Sequence, residues 1–80
     1  MSMSEEKQAV IYDLRGLNCP LPVLKTRRKL QDMASKDVLE VRTTDPMSRL
    51  DIPHFCANEG HTIIHQENDG VIFTYRIQKA

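Results

Sequence analysis

Two prolines set two residues apart, Pro20 and Pro22, follow a short β-branched run and a glycine turn. A φ locked near about −65° and a missing N–H exclude them from strand and helix interiors. Both fit the first turn of a helix, where backbone N–H groups have no intrahelical partner. Ahead of them, Val10-Ile11-Tyr12-Asp13-Leu14 has the β-branched and aromatic character of a strand. Arg15-Gly16-Leu17-Asn18 connects the two, with Gly16 able to take a positive φ. The chain must therefore pass from strand to helix at Cys19.

From Pro20, placed at the first helical position, Val23, Leu30 and Met33/Ala34 recur at helical spacing. Lys25, Arg28, Lys29 and Asp32 fall off that stripe. The spacing predicts helix one from about Pro20 to Met33, with Ala34-Ser35-Lys36-Asp37 as connector. Val38 to Thr43 is a second strand, stopped by Thr44-Asp45-Pro46. Ser48 is placed as the N-cap of helix two, with Asp51 three residues on as a capping-box analogue. Pro53 is expected at or near the first turn, which would delay the regular helix. Ile52, Phe55 and Cys56 give that helix its apolar stripe, and Gly60 is its C-terminal stop. Thr62 to Gln66 and Val71 to Ile77 are strands joined by the hairpin signal Asn68-Asp69-Gly70.

The order β-α-β-α-β-β is an α/β pattern. Its first three elements imply parallel neighbouring strands with a right-handed crossover, and its last two an antiparallel hairpin. The expected fold is a two-layer α/β sandwich, a mixed four-stranded sheet with two helices on one face. Residues 1–8 are polar and read as a flexible leader; residues 9–80 form one domain. A chain of 80 residues buries only roughly 60% of its unfolded surface. Such a domain has no room for a deep cavity and can act only by presenting reactive groups near its surface.

Eleven basic and eleven acidic residues cancel, so whole-molecule attraction to nucleic acid is not indicated. No segment has the length and apolarity of a signal peptide or a membrane span, which places the protein in the cytoplasm. Two cysteines in a reducing compartment are not expected to form a structural bridge. Cys56 lies on the Ile52/Phe55 stripe and reads as core. Cys19 stands where a helix N-terminus offers partial positive charge and unpaired N–H groups, a setting that stabilises a thiolate. Such a site also suits a persulfide, whose outer sulfur is anionic. No His, Asp or second Cys beside Cys19 in sequence offers a base for hydrolysis, and Cys19 reads as a carrier thiol.

The basic cluster Lys25, Arg27, Arg28 and Lys29 reads as a solvated helix face or a docking patch for an acidic partner. His54, Cys56, His61 and His65 resemble metal ligands in composition but match no ligand spacing, and no metal site is assigned. His61 is expected to satisfy carbonyls at the end of helix two. Asp45 and Asp51 are covered by turn and capping roles, and Met33 and Met47 by gap filling.

The run Asp13-Leu14-Arg15-Gly16-Leu17-Asn18-Cys19-Pro20-Leu21-Pro22 resembles the signature of the TusA/SirA-like sulfur-carrier family. The resemblance continues through Thr44-Asp45-Pro46, Asp51-Ile52-Pro53-His54-Phe55-Cys56, Gly60-His61 and the hairpin up to Lys79. It implies the same β-α-β-α-β-β fold. It also implies that Cys19 accepts sulfur as a persulfide from a cysteine desulfurase or rhodanese-like donor, without a cofactor. The acceptor would be a further sulfur-relay protein serving tRNA thiolation, molybdenum-cofactor synthesis or sulfur oxidation. Leu21 replaces the acidic residue of the tRNA-thiolation members, and Thr44 the first aspartate of their Asp-Asp-Pro. The expected site is Cys19, with Gly16, Pro20, Pro22, Lys25 and Arg28 contacting partners. The alternatives are a regulatory or interaction module with Cys19 as redox switch, and a thiol–disulfide couple of Cys19 with Cys56.

Overall fold

The computed structural model describes residues 9–80, so the leader assigned to residues 1–8 lies outside the described residues. Six elements follow in the expected order: β1 (Val10–Leu14), α1 (Leu21–Gln31), β2 (Val38–Thr43), α2 (Ser48–Glu59), β3 (Thr62–Asn68) and β4 (Phe73–Gln78). The strands form one sheet in the order β1-β2-β4-β3. β1 and β2 are parallel, while β4 runs antiparallel to both β2 and β3. The α/β two-layer sandwich is therefore the fold of this chain.

Alternation along the central strands decides which face is covered. Leu39, Val41 and Thr43 of β2 are fully buried, as are Phe73, Tyr75 and Ile77 of β4 to within a few per cent. They meet Leu30 of α1 and Ile52, Phe55 and Cys56 of α2, which completes the core with Leu14. The opposite face carries Glu40, Arg42, Thr74 and Arg76. Burying roughly 1.5–3 kcal/mol worth of apolar side chain at each of these inward positions drives the layers together.

Several local expectations need correction. Pro20 is the N-cap of α1 and not its first helical residue, and Pro22 is at N2. The buried stripe of α1 is Pro22, Thr26 and Leu30, with Val23 and Met33 only partly buried against the core. Met47, not Ser48, caps α2. The Ser48 hydroxyl is instead buried 3.2 Å from the Tyr75 hydroxyl, so it ties α2 to β4. Pro53 does not delay the helix: α2 begins five residues earlier and carries Pro53 inside. The missing N–H at Pro53 leaves the carbonyl of Arg49, an exposed residue, without its intrahelical partner. β3 extends two residues beyond its expected end and β4 starts two residues late, with a bulge between Ile63 and His65.

Candidate functional site

Parallel pairing of β1 with β2 sets Leu14 opposite Thr43, so the segments leaving both strands run side by side. Gly16 takes a positive φ of 87° and donates its N–H to Thr44 Oγ1 at 2.9 Å. Asp13 grips Arg15 through its backbone N–H and its guanidinium, which holds the Asp13 carboxyl down at about 2. These contacts fix the connection that delivers Cys19 to the start of α1. The carboxyl ends of parallel strands are where open α/β sheets build sites.

Cys19 is exposed, and Cys56 is 2% exposed within the core. From Cys19 a shallow groove of about 360 Å³ runs between the helices. Pro20, Leu24 and Arg27 line one side, and Asp51, His54 and Phe55 the other. Leu21, Leu24, Met47 and Leu50, all near the starts of the two helices, are large apolar side chains left exposed.

The thiol does not have the electrostatics expected of a helix start. Its pKa is raised, first by the hydrogen bond to Asp51, then by desolvation and by the charges of Asp51 and Asp45. Cys19 Sγ donates to Asp51 Oδ2 at 3.3 Å. One donor atom each from Cys19, Asp45 and Asp51 lies within 4.8 Å of the others. The helix offers little to oppose these carboxylates. Pro20 and Pro22 have no N–H, the Leu21 N–H goes to the Asn18 carbonyl, and the Leu24 N–H to that of Pro20. The prolines that make the turn rigid thus remove two of the donors a thiolate would use.

Of the residues expected around the thiol, Gly16 and Pro20 shape the connection, while Pro22 is on the buried side of α1. Lys25 and Arg28 are exposed but do not line the groove; the basic residue that does is Arg27. The sequence offers Asp51 only a capping role, which it does not fill: α2 has no side-chain cap, and the Asp51 carboxylate accepts from Cys19. Asp45 does fill a turn role, accepting from the Met47 N–H at 3.1 Å. The signal for Asp51 lay in topology, since a parallel β-α-β start sets both helix beginnings at one end of the sheet.

The candidate metal set is dispersed. His54 contacts Asn58, His65 contacts Glu67, and Cys56 is in the core. His61 Nδ1 accepts from the Ala80 N–H, and it is the His61 backbone N–H, not its ring, that reaches the Cys56 carbonyl. The Cys19, Asp45 and Asp51 spacing would admit a cation, but Asp45 already accepts from Met47 and Asp51 from Cys19. Among the described residues, no helix is long and apolar enough to cross a membrane.

Comparison with known proteins identifies the family. The family model described as Sulfurtransferase TusA matches residues 10–79. A sulfur carrier protein TusA of Pseudomonas paraeruginosa is 42% identical over 69 residues, covering 86% of this chain and 87% of that protein. A Pseudomonas putida protein of the same name is 39% identical over 77 residues, 96% of each chain. The chain therefore belongs to the TusA family of sulfur carriers.

Proposed function

We propose that Cys19 is the sulfur-carrying residue, holding sulfane sulfur as a persulfide between a donor and an acceptor protein. The observation that carries this reading is the contrast between the cysteines: Cys19 is exposed at the mouth of a groove, and Cys56 is enclosed in the core. Family membership supports the chemistry, and the accessible thiol supports its assignment to Cys19. Thiol-to-persulfide exchange needs a sulfur that two successive partners can approach, which a surface thiol at a fixed turn provides. The exposed Leu21, Leu24, Met47 and Leu50 give those partners apolar surface to cover. A cysteine desulfurase or a rhodanese-like protein is the donor class, and a further cysteine-bearing relay protein the acceptor class. The acceptor serves tRNA thiolation, molybdenum-cofactor synthesis or sulfur oxidation. A couple of Cys19 with Cys56 is disfavoured because Cys56 has almost no accessible surface.

The test is intact-protein mass spectrometry after incubation with a cysteine desulfurase, its cofactor and cysteine. The reading expects a gain of one sulfur that is lost on reduction and absent in Cys19→Ser. Failure to gain sulfur from either donor class, with Cys19 still open to alkylation, would exclude it.

A further inference from the structure

The contact between Cys19 and Asp51 joins the residue just ahead of α1 to the first turn of α2. Helix stability does not ask for it, because the Asp51 carboxylate caps nothing and its own N–H is held by the Met47 carbonyl. The charged and titratable groups facing Cys19 are Asp45 before α2, Asp51, His54 and Glu59 on α2, and Arg27 on α1. Among the described residues, Asp51 is the one hydrogen-bonded to the sulfur.

That hydrogen bond distinguishes the two states of a carrier. The resting thiol has a proton to donate to Asp51. A persulfide ionised at its outer sulfur has none, and carries a negative charge one S–S bond from Sγ, in the neighbourhood of the Asp51 and Asp45 carboxylates. Like charges at this separation disfavour the anionic form. The raised pKa of Cys19 expresses the same preference for a protonated sulfur at this position.

We infer that Asp51 sets the sulfur-transfer equilibrium of Cys19, stabilising the empty thiol and destabilising the loaded persulfide so that the carrier readily gives its sulfur up. The inference rests on the persulfide reading of Cys19. The exchange is Cys19–SH plus R–S–S⁻ giving Cys19–S–S⁻ plus R–SH. Cys19 Sγ forms a bond to the outer sulfur of the donor, and the donor's S–S bond breaks with its electron pair on R–S. The proton of Cys19 ends on that departing sulfur. Cys19 is oxidised to a persulfide as the donor is reduced to a thiol, and no other reactant enters. Asp51 stabilises the left side through its hydrogen bond and destabilises the right through its charge. It acts as a positioning residue, neither supplying nor accepting sulfur.

The experiment uses the full chain and glutathione persulfide as probe, reading the equilibrium ratio of loaded to empty protein by intact mass. Asp51→Asn and Asp51→Ser, both neutral, are expected to raise the loading constant about tenfold, and Asp51→Glu to stay near the parent. In parallel, the pH midpoint of Cys19 alkylation by iodoacetamide should fall in the neutral variants, which a merely structural role would not produce. Circular dichroism identifies which neutral variants are folded, and either suffices. An unchanged or lowered loading constant in a folded neutral variant overturns the inference. If the parent protein takes no sulfur, the carrier reading fails and the inference with it. The alkylation midpoints would still report the contact, so the two failures are distinguishable.

Discussion

Glu40 of β2 and Arg76 of β4 stand directly opposite one another in the antiparallel ladder, and Arg76 Nε donates to Glu40 Oε1 at 2.8 Å. Arg42 Nε donates to the other oxygen at 2.8 Å, so one carboxylate is held from two strand positions on the sheet face the helices leave open. The Glu40 side chain is 8% exposed, the two arginines 42% and 49%. Their stems cover the carboxylate while their guanidinium groups stay partly in water. Glu40→Gln is expected to cost about 1 kcal/mol, since the half-exposed cations moderate a larger charge-assisted gain. The Arg76 hydrogen bond, followed by that from Arg42, holds the Glu40 carboxyl below its ordinary range. A lowered folded pKa contributes stability above the unfolded value and loses it as pH falls through the folded one. Urea unfolding of parent and variant should therefore converge as the pH falls through the lowered Glu40 pKa, and differ most near neutrality.

Gly16 makes the turn in the segment that carries the thiol. Its φ of 87° is a left-handed conformation, and a Cβ built there meets nothing within 4 Å. The cost of Gly16→Ala is therefore backbone strain alone, about 1–2 kcal/mol. The Gly16 N–H is bound to Thr44 Oγ1, so Thr44→Val should loosen the same connection without adding strain. Thermal melts should show a lower midpoint for Gly16→Ala. Hydrogen exchange should be faster at the Gly16 amide in Thr44→Val, with β2 and β4 protected as in the parent.

Most of this fold was legible because its signals were local. The strand-forming run Val38–Thr43, the Asn-Asp-Gly turn, and Gly60 with φ of 81° at the end of α2 each depend on a few adjacent residues. The Cys19 environment is not legible in the sequence because a local rule meets a long-range fact. A helix start usually favours a thiolate, but Pro20 and Pro22 remove two of its donors, and Asp51, 32 residues away, accepts the hydrogen bond of the protonated thiol. No periodicity encodes that distance. The same is true of Ser48, read as a cap and found on Tyr75 across the core, and of Arg27, which faces the groove while Lys25 and Arg28 do not.

His61 gives the C-terminus a pH dependence. Its Nδ1 accepts the Ala80 N–H at 3.1 Å and its ring lies against Phe55 at 5.4 Å between centroids. Burial lowers its pKa from the ordinary 6.5, outweighing Glu59, with Lys79 adding to the lowering. A protonated Nδ1 is a donor and cannot accept from Ala80. The contact is thus intact above the unfolded pKa and lost as pH falls through the lower folded value. Following amide shifts from pH 7 to pH 5 should show Ala80 moving together with the His61 ring. His61→Phe should abolish the Ala80 transition; a transition retained in that variant would assign it elsewhere.

The two cysteines should separate completely by reactivity. Cys19 is exposed, and Asp51 raises its pKa without covering it. Cys56 is enclosed by the core and pushed up to about 11 by burial. Alkylation needs both a thiolate and a path to it, and Cys56 lacks both in the folded state. Iodoacetamide at pH 8 is therefore expected to add one group to the native protein, at Cys19, and a second only in denaturant. Cys56→Ala should cost about 1 kcal/mol of stability through lost packing, with persulfide loading unchanged. Its alkylation rate at Cys19 should match the parent. A second group added to the native protein at a rate comparable to the first would require α2 to open under native conditions. It would also bring Cys56 into contention with Cys19 for incoming sulfur.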